Sequence, residues 1–273
     1  MEKGSEVSGQ TLAAGHRCQK ARNGVNENRT KVPPHPTLSA YYDDPASRSS
    51  FVCDLFDRTA ADYDTINRLA SLGSGAWFRR QSLIRAGLRP GMQVADVAIG
   101  TGLVAREAVT VTGSPEHVIG LDISLAMLAQ ARRTLGIPLV RCRAEALCLA
   151  DRSVDFLTLG YALRHVPDLI ETFAEFRRVL RPGGIVLILE ISKPSRPFGQ
   201  WLARLCLGGL LPLLARWSTD NPEAGRLMRY YWQTIDQCVP PDAILRALSM
   251  AGFTAVHCES TFDFLRNYRG VKA

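Results

Sequence analysis

The hydrophobic positions of this chain follow two periods in alternation. From Phe51, apolar residues recur at helical spacing in "FVCDLFDRTAADYDTINRLASLG" and again in "GAWFRRQSLIRAGL". Short apolar runs typical of buried strands then alternate with amphipathic helical stretches; these runs are "QVADVAI", "HVIGLDIS", "LVRCRAEA", "VDFLTLGYAL" and "IVLILEIS". Apolar strands separated by helices form parallel β-α-β units. The pattern therefore predicts an α/β fold, with N-terminal helices and a doubly wound, mostly parallel sheet.

The start of the chain lacks this pattern. It is rich in Gly, Ser, Asn, Lys and Pro, contains the segment "KVPPHP" and has no hydrophobic stretch. Such a composition buries too little apolar surface to compensate for the entropy lost on folding. We therefore expect residues 1–45 to be a disordered tail and residues 46–273 to form one domain.

One later stretch is unusually apolar: "WLARLCLGGLLPLLARW", from Trp201 to Trp217. Arg204, two glycines and Pro212 interrupt it, so we expect it to fall short of the roughly 20 residues that a membrane span needs. It fits a helical lid over the site, a helix lying on a membrane surface with its arginines near lipid phosphates, or a dimer or core helix. Peripheral membrane contact and a homodimer thus both stay open.

The charge and the cysteines of the chain limit the classes of binding partner that we expect. The chain has 33 Lys and Arg against 26 Asp and Glu, a net charge of +7, but its arginines are dispersed and form no basic block. Nucleic acid is therefore not an expected partner. The seven cysteines include no C-x-x-C pair and no Cys/His cluster at metal-ligand spacing. This pattern predicts free thiols in a reducing, cytoplasmic setting and no bound metal.

A glycine turn joins the first predicted strand to the next helix in "VADVAIGTGLVAREA". Gly100, Thr101 and Gly102 would let the backbone approach a ligand, and the helix N-terminus offers unpaired N–H groups. Asp122, followed by Ile123, closes the second strand about 20 residues after the last glycine, where nucleotide sites place a carboxylate for ribose hydroxyls. NAD and an adenosine-type ligand both fit these features.

Asp96, just before the turn, distinguishes between these two candidate ligands. A carboxylate at this place would repel a pyrophosphate but attract a cationic ligand. S-adenosylmethionine carries an ammonium and a sulfonium beside its adenosine. The pair Asp96 and Asp122 therefore favours S-adenosylmethionine, and a methyltransferase, over an NAD(P)-dependent oxidoreductase.

Five segments resemble, in order, the motifs of class I methyltransferases: "DVAIGTG", "GLDISLAMLAQAR", "RAEALCLADRSVDF", "GYALRHVPDL" and "RVLRPGGIVLILEISKP". They are most similar to the ubiquinone/menaquinone biosynthesis C-methyltransferase family. The resemblance implies a Rossmann-like methyltransferase fold, S-adenosyl-L-methionine as cofactor, and a small hydrophobic phenol or quinol as the methyl acceptor. It also implies methylation at carbon, as in quinone biosynthesis.

The same resemblance implies a set of cofactor contacts. Those beside the methionine and ribose parts are Asp96, Gly100, Thr101, Gly102, Asp122 and Ile123. Arg143 and Ala144 would flank the adenine, although Arg143 stands where the family usually has Asn or Asp, and Arg offers no acceptor to the adenine amino group. Gly160 replaces a small hydroxyl residue that we expect after the fourth strand.

Candidate catalytic residues follow the fourth strand in "LRHV", where open α/β sheets place their sites. Arg164 is suited to stabilise a phenolate or enolate, and His165 has the intrinsic pKa to remove the proton near neutrality. The family tends to have Asn at the position of His165, so this role is not inherited. As an alternative, His165 caps the next helix or pairs with Asp168.

Candidate acceptor contacts lie in two other segments. Tyr63 and Asn67 belong to an N-terminal helix of the kind that closes over the cofactor in similar enzymes, and Tyr231 and Trp232 of "RYYWQTIDQCVPP" would form an aromatic wall. Ordinary helix packing explains both segments equally well. The ending "TFDFLRNYRGVKA" departs from the family's glycine-rich ending, which leaves a specialised-metabolite O- or C-methyltransferase as an alternative. An NAD(P)-dependent oxidoreductase, which would share the glycine turn and Asp122, and a non-catalytic protein that binds S-adenosylmethionine also stay open.

Overall fold

The computed structural model describes residues 31–44, 46–71, 73–219 and 221–273. Seven strands in these ranges form one sheet in the order β3-β2-β1-β4-β5-β7-β6. The strands are β1 Val94–Val97, β2 Val118–Asp122, β3 Leu139–Arg141, β4 Val154–Gly160, β5 Leu180–Ile191, β6 Phe253–Thr261 and β7 Leu265–Lys272. β1 to β5 are parallel, whereas β7 runs antiparallel to both β5 and β6. The predicted doubly wound, mostly parallel α/β fold is confirmed.

Helices cover both faces of this sheet. They are α1 Arg48–Thr59, α2 Tyr63–Ala70, α3 Gly75–Ala86, α4 Leu103–Thr112, α5 Leu125–Thr134, α6 Leu169–Val179, α7 Pro197–Ala203, α8 Leu211–Thr219, α9 Pro222–Asp236 and α10 Pro241–Met250. Phe173 of α6 and Leu248 of α10 are fully buried in the core of one face, and Leu83 of α3 is fully buried in the core of the other. A third apolar cluster joins Leu55 of α1 to Leu227 of α9. This third cluster holds the helices that lie over the carboxyl ends of the strands.

Part of the segment predicted to be a tail is packed. Leu38 and Tyr42 are buried in the third apolar cluster, and the Val32 amide donates a 2.5 Å hydrogen bond to Asp168 Oδ2. These scattered apolar residues gain their stability from the domain on which they pack, which composition alone does not reveal. Residues 1–30 of the predicted tail lie outside the described residues.

Two predicted elements have different bounds in the structure. The strand predicted over "LVRCRAEA" ends at Arg141, since Arg143 and Ala146 pair across a tight turn. The helical pattern of "LIETFAEFRRVLRPGG" predicts a helix that runs to Gly183 and Gly184, whereas α6 ends at Val179 and the chain enters β5 at Leu180. Pro182 accounts for this, because a proline cannot continue a helix and disfavours helical geometry in the residue before it.

The apolar stretch forms a longer helix than the sequence suggests. α7, a π-helical segment Arg204–Leu210 and α8 join into one helical segment of 23 residues, Pro197–Thr219. By length and composition alone it is able to cross a membrane, so the expectation that its glycines and proline would shorten it is wrong. Gly208 packs against Trp232 of α9, where a Cβ atom would lie 3.0 Å from the indole ring. Gly208 thus allows this segment to pack closely on α9.

Candidate functional site

Two adjoining cavities open at the carboxyl ends of β1, β2 and β4. The larger chamber has a volume of about 850 Å3 including its open mouth, and the smaller chamber about 370 Å3. Five residues line both chambers: Tyr63, Ala98, Gly100, Gly160 and Tyr161. The carboxyl edge of a doubly wound sheet is where small-molecule sites form.

The backbone is strained where the two chambers meet. Gly100 and Gly102 have φ of +58° and +90°, and a Cβ atom on Gly102 would lie 2.2 Å from Leu135 Cδ1. Ala98 and Tyr161 also have positive φ, of +51° and +60°. Such a conformation is unfavourable for residues with a side chain, at about 1–3 kcal/mol each, and it concentrates at functional sites.

Asp96 lies in the smaller chamber with one carboxylate oxygen unpartnered. It is 1% exposed, and its Oδ1 accepts a 2.5 Å hydrogen bond from Thr158 Oγ1, while its buried Oδ2 has no partner among the described atoms. Burial raises the pKa of Asp96 to about 7, and the Thr158 hydrogen bond opposes this shift. A buried carboxylate with an open oxygen fits a cationic ligand group such as an ammonium.

Asp122 lies in the larger chamber, on the neighbouring strand. Its Oδ2 accepts a 2.8 Å hydrogen bond from the Gly100 amide, and its Oδ1 accepts one of 2.9 Å from the Ser124 amide. Burial raises the pKa of Asp122, and these hydrogen bonds oppose the shift. Asp96 and Asp122 therefore border adjoining chambers on either side of the glycine turn, which is the arrangement that a ligand with a cationic end and a ribose needs.

The predicted adenine residues lie on the wall of the larger chamber. Ile123, Arg143 and Ala144 all line it. The Arg143 side chain is 49% exposed and forms an ion pair with Glu145, whose side chain is 12% exposed and lines the same chamber. Glu145 was not predicted from the sequence. Its carboxylate is a hydrogen-bond acceptor of the kind that an adenine amino group needs and that Arg143 lacks.

Gly160, also predicted, lies at the end of β4 where the chambers meet. A Cβ atom on it would lie 2.7 Å from Val104 Cγ2, so the valine occupies the space that a larger residue would need. Thr101 lines the smaller chamber, and its hydroxyl donates a 2.5 Å hydrogen bond to Asp64 Oδ1 of α2. This contact holds an N-terminal helix over the glycine turn.

His165 lines the larger chamber as a partly buried, neutral imidazole. Its ring stacks on Tyr230 at 5.6 Å between centroids and meets the edge of Phe56 at 5.3 Å. Burial lowers the pKa of His165 well below 6.5, and the nearby charges of Arg164 and Arg48 lower it further. Nδ1 lies 3.4 Å from the Tyr230 hydroxyl, whereas Nε2 is buried with no partner among the described residues.

The alternative role for His165, as a helix cap or partner of Asp168, does not match these contacts. Asp168 itself caps α6, accepting a 2.8 Å hydrogen bond from the Glu171 amide, and its other oxygen accepts from Val32. Asp168 is therefore engaged elsewhere, and among the described residues no hydrogen bond joins it to His165.

Arg164, predicted beside His165 as a catalytic residue, borders neither chamber. Its side chain is fully buried; Nε donates to Glu190 Oε1 at 2.9 Å and Nη1 to Thr234 Oγ1 at 2.8 Å. The guanidinium also lies over the Tyr231 ring, 4.7 Å from its centroid. These contacts place Arg164 behind the wall of the larger chamber, where it positions Tyr231, and away from direct contact with an acceptor.

The four residues predicted to contact the acceptor do not all line the same chamber. Tyr63 and Tyr231 line the larger chamber together, with their hydroxyls 2.8 Å apart. Asn67 lines the smaller chamber, next to Asp96. Trp232 borders neither chamber, because successive helical residues point about 100° apart and it faces Gly208 instead.

The smaller chamber also contains a residue that the sequence analysis missed. Arg79 of α3 lines it and is 8% exposed, whereas the adjacent Arg80 is half-exposed and paired with Glu107 at 2.7 Å. The segment "WFRR" gives no sign of which arginine turns inward, since both are compatible with an amphipathic helix.

Comparisons with known proteins agree with this geometry. The model of the ubiE/COQ5 methyltransferase family matches residues 45–272. The ubiquinone/menaquinone biosynthesis C-methyltransferase of Hahella chejuensis is 31% identical over 234 residues, covering 83% of this chain and 93% of that protein. The corresponding protein of Pseudoalteromonas translucida is 32% identical, covering 82% and 92%.

Solved structures share the fold at lower identity. A SAM-dependent methyltransferase from Aquifex aeolicus has a TM-score of 0.55 at 16% identity, covering 77% of this chain and 98% of that one. A possible histamine N-methyltransferase from Thermotoga maritima has a TM-score of 0.58 at 17% identity, covering 81% and 99%. At this identity they support the fold alone.

The predicted enzyme class and cofactor are confirmed by the family match, and the open oxygen of Asp96 beside the glycine turn fits the cationic end of S-adenosylmethionine. An oxidoreductase that uses NAD(P) would have no use for this buried carboxylate next to its pyrophosphate. The chain belongs to the ubiE/COQ5 methyltransferase family and is an S-adenosylmethionine-dependent methyltransferase.

Proposed function

We propose that this enzyme transfers a methyl group to a ring carbon of a hydrophobic hydroquinone-type acceptor. Its curated relatives are named as C-methyltransferases of ubiquinone and menaquinone biosynthesis. The observation that carries the proposal is the larger chamber, where Val52, Phe56, Tyr63 and Tyr231 surround a neutral imidazole with a free nitrogen. Such a chamber suits an apolar ring that carries a hydroxyl group.

The residues that would hold the cofactor are divided between the chambers. Asp96 and Thr101 would bind its methionine end in the smaller chamber, and Asp122 would accept hydrogen bonds from its ribose hydroxyls in the larger one. Ala144 and Glu145 would meet the adenine. When bound, S-adenosylmethionine supplies an electrophilic methyl group on a sulfonium.

His165 is the group we assign to the proton transfer. A ring carbon is a weak nucleophile until a neighbouring hydroxyl loses its proton, and a base held within hydrogen-bonding distance accelerates that step. His165 Nε2 would accept the hydroxyl proton, and the ring carbon would take the methyl group as the bond from that methyl to sulfur breaks and S-adenosylhomocysteine leaves. The methylated ring carbon would then lose its proton to water, the imidazolium would return its proton to the ring oxygen, and the ring would become aromatic again. Because its lowered pKa keeps the imidazole unprotonated, it is ready to accept a proton at neutral pH.

The paired hydroxyls of Tyr63 and Tyr231 would orient the acceptor. Each hydroxyl carries one proton, so the pair retains one donor beyond the 2.8 Å bond between them. That donor is suited to an oxygen of the acceptor ring, while Phe56 excludes water from the reacting face.

The acceptor is tested with a labelled methyl donor. The enzyme is incubated with methyl-labelled S-adenosylmethionine and, in parallel, a short-chain prenylated hydroquinone, a catechol and a polar phenol. We expect labelled product from the hydroquinone, with the methyl group on a ring carbon by NMR. Methylation of oxygen only would contradict the proposal and favour a specialised-metabolite O-methyltransferase, and NADH oxidation without labelled product would favour an oxidoreductase.

The enzyme would meet such an acceptor at a membrane surface. Pro197–Thr219 carries an exposed apolar face, and the exposed fractions of Phe198, Trp201, Leu213 and Trp217 are 73%, 59%, 67% and 87%. The charged residues of this segment are Arg204 and Arg216, with no acidic residue between its ends. Apolar and aromatic side chains combined with arginines favour an interface with anionic lipid over a solvated surface.

A second segment extends this face. Phe262, at the turn between β6 and β7, is 78% exposed, and the next residue, Asp263, accepts hydrogen bonds of 2.9 and 2.8 Å from the amide and hydroxyl of Ser195, just before α7. The face also lies close to the larger chamber, because Trp232 packs on Gly208 of the apolar segment while Tyr231 lines the chamber. We therefore propose peripheral membrane binding through this face, which would bring the chamber close to a lipid-dissolved acceptor.

Vesicle binding tests this surface. The double variant Trp201→Glu/Trp217→Glu is expected to bind vesicles containing phosphatidylglycerol at least about tenfold more weakly in co-sedimentation. The reason is that it lacks two exposed indole rings that would insert into the lipid interface. Trp77→Glu, on α3 and 63% exposed, is the matched control and should bind as the parent enzyme does. Equal vesicle binding by the double variant would contradict the proposal. If the parent does not bind vesicles, and sedimentation velocity shows a dimer that the double variant loses, the face is instead a homodimer interface.

A further inference from the structure

Arg79 brings a buried positive charge into the smaller chamber. Arg79 is 8% exposed and lines the chamber together with Asp96 and Thr101. Its Nε atom has no hydrogen-bond partner among the described residues. Arg79 also has no salt bridge within the part of the chain that the structure describes, although Arg80 beside it is paired with Glu107.

Such a group requires an anion. A guanidinium stays protonated in proteins, so it cannot relieve burial by losing its charge. A buried charge without a counter-ion costs several kcal/mol, and carboxylates that bind arginine in a bidentate manner are its strongest partners. The charge of Arg79 lowers the pKa of Asp96, but burial outweighs this effect and raises that pKa to about 7; no salt bridge joins the two groups among the described residues.

The local chain is built to hold this guanidinium in place. Gly75, four residues earlier on α3, has no side chain, and a Cβ atom there would lie 2.9 Å from Arg79 Nη1. The glycine therefore leaves the space that the guanidinium occupies one helical turn before its own Cα.

We infer that Arg79 binds the α-carboxylate of S-adenosylmethionine while Asp96 binds its ammonium. The smaller chamber then offers one cationic and one anionic group to a zwitterionic end that carries one charge of each sign. The inference rests on the proposed placement of the cofactor across the two chambers. Arg79 is then a binding residue that favours a ligand with a zwitterionic amino-acid end over a ligand whose end is neutral or only positively charged.

Two ligands that differ by one carboxylate test this role. Isothermal titration calorimetry measures the affinity of the intact enzyme for S-adenosylmethionine and for decarboxylated S-adenosylmethionine, which keeps the ammonium and the sulfonium. We expect Arg79→Met to weaken S-adenosylmethionine binding about 10- to 100-fold and to leave the affinity for the decarboxylated ligand within about twofold. Arg79→Lys retains the positive charge and should lose less affinity for S-adenosylmethionine than Arg79→Met does.

Two further variants separate this role from general damage. Asp96→Asn should weaken both ligands, because both carry the ammonium, and Arg80→Met should change neither. If Arg79→Met binds S-adenosylmethionine as the parent does, or loses both ligands to the same extent, the inference is overturned. If Arg79→Met does not fold, Arg79→Lys decides by the same comparison. A parent enzyme that binds S-adenosylmethionine and its decarboxylated form equally well also overturns the role of Arg79, whereas one that binds neither ligand contradicts the cofactor placement itself.

Discussion

His165→Ala is expected to lower kcat for methyl transfer about 100- to 10,000-fold, the range typical of a lost general base. His165 Nε2 is the buried nitrogen without a partner on the wall of the larger chamber, and the ring is fixed by Tyr230 and Phe56. The loss should fall on kcat, because Asp96 and Asp122, which we propose bind the cofactor, are unchanged. Single-turnover experiments with saturating acceptor measure it.

The pH profile gives a second readout for His165. Burial lowers its pKa below 6.5, so the parent enzyme should keep its activity from pH 8 down past 6.5 and lose it only at lower pH, as the imidazole becomes protonated. His165→Phe, which keeps an aromatic ring against Tyr230 and Phe56 but has no titratable nitrogen, should remove this acidic limb together with the rate. His257→Ala is the matched control, since His257 is exposed and borders neither chamber. A His165→Ala enzyme with the parental rate and profile would exclude the imidazole from the reaction.

The parts of the candidate site whose positions follow from the sequence are those fixed by local structure. A strand, a glycine turn and a helix place Asp96, Gly100 and Gly102 within a few residues of one another, and parallel pairing brings Asp122 alongside. The rule that sites form at the carboxyl ends of parallel strands therefore suffices to assemble this region. The long-range parts of the fold are different: β7 pairs with β5 and β6 through polar strand positions that carry no clear alternation.

Neighbouring residues of similar chemistry mark the limit of sequence reasoning here. His165 lines the chamber but Arg164 does not, Tyr231 does but Trp232 does not, and Arg79 does but Arg80 does not. In each pair the direction depends on how a turn or helix is rotated against the rest of the molecule. That rotation is set by tertiary packing, such as Trp232 on Gly208, and no local pattern records it.

The buried Arg164–Glu190 pair predicts the largest stability effect. Arg164→Met is expected to lower the free energy of unfolding by about 3–5 kcal/mol, because it leaves the Glu190 carboxylate buried without its partner. Both side chains are 1% exposed or less; apart from Arg164, Glu190 Oε1 accepts a hydrogen bond from the Ile191 amide, and Oε2 has no hydrogen bond among the described residues. Urea denaturation followed by circular dichroism measures the change.

The double variant Arg164→Met/Glu190→Gln distinguishes a positioning role from direct contact with the acceptor. Removing both charges avoids the unpaired carboxylate, so the double variant should regain most of the lost stability. If Arg164 acts by holding Tyr231 through its 4.7 Å ring contact, activity should return in part with stability, and KM for the acceptor should remain more affected than kcat. A double variant that is as stable as the parent but has lost kcat entirely would instead show that the guanidinium itself reaches the reacting oxygen. In that case the wall between Arg164 and the larger chamber must open during the reaction.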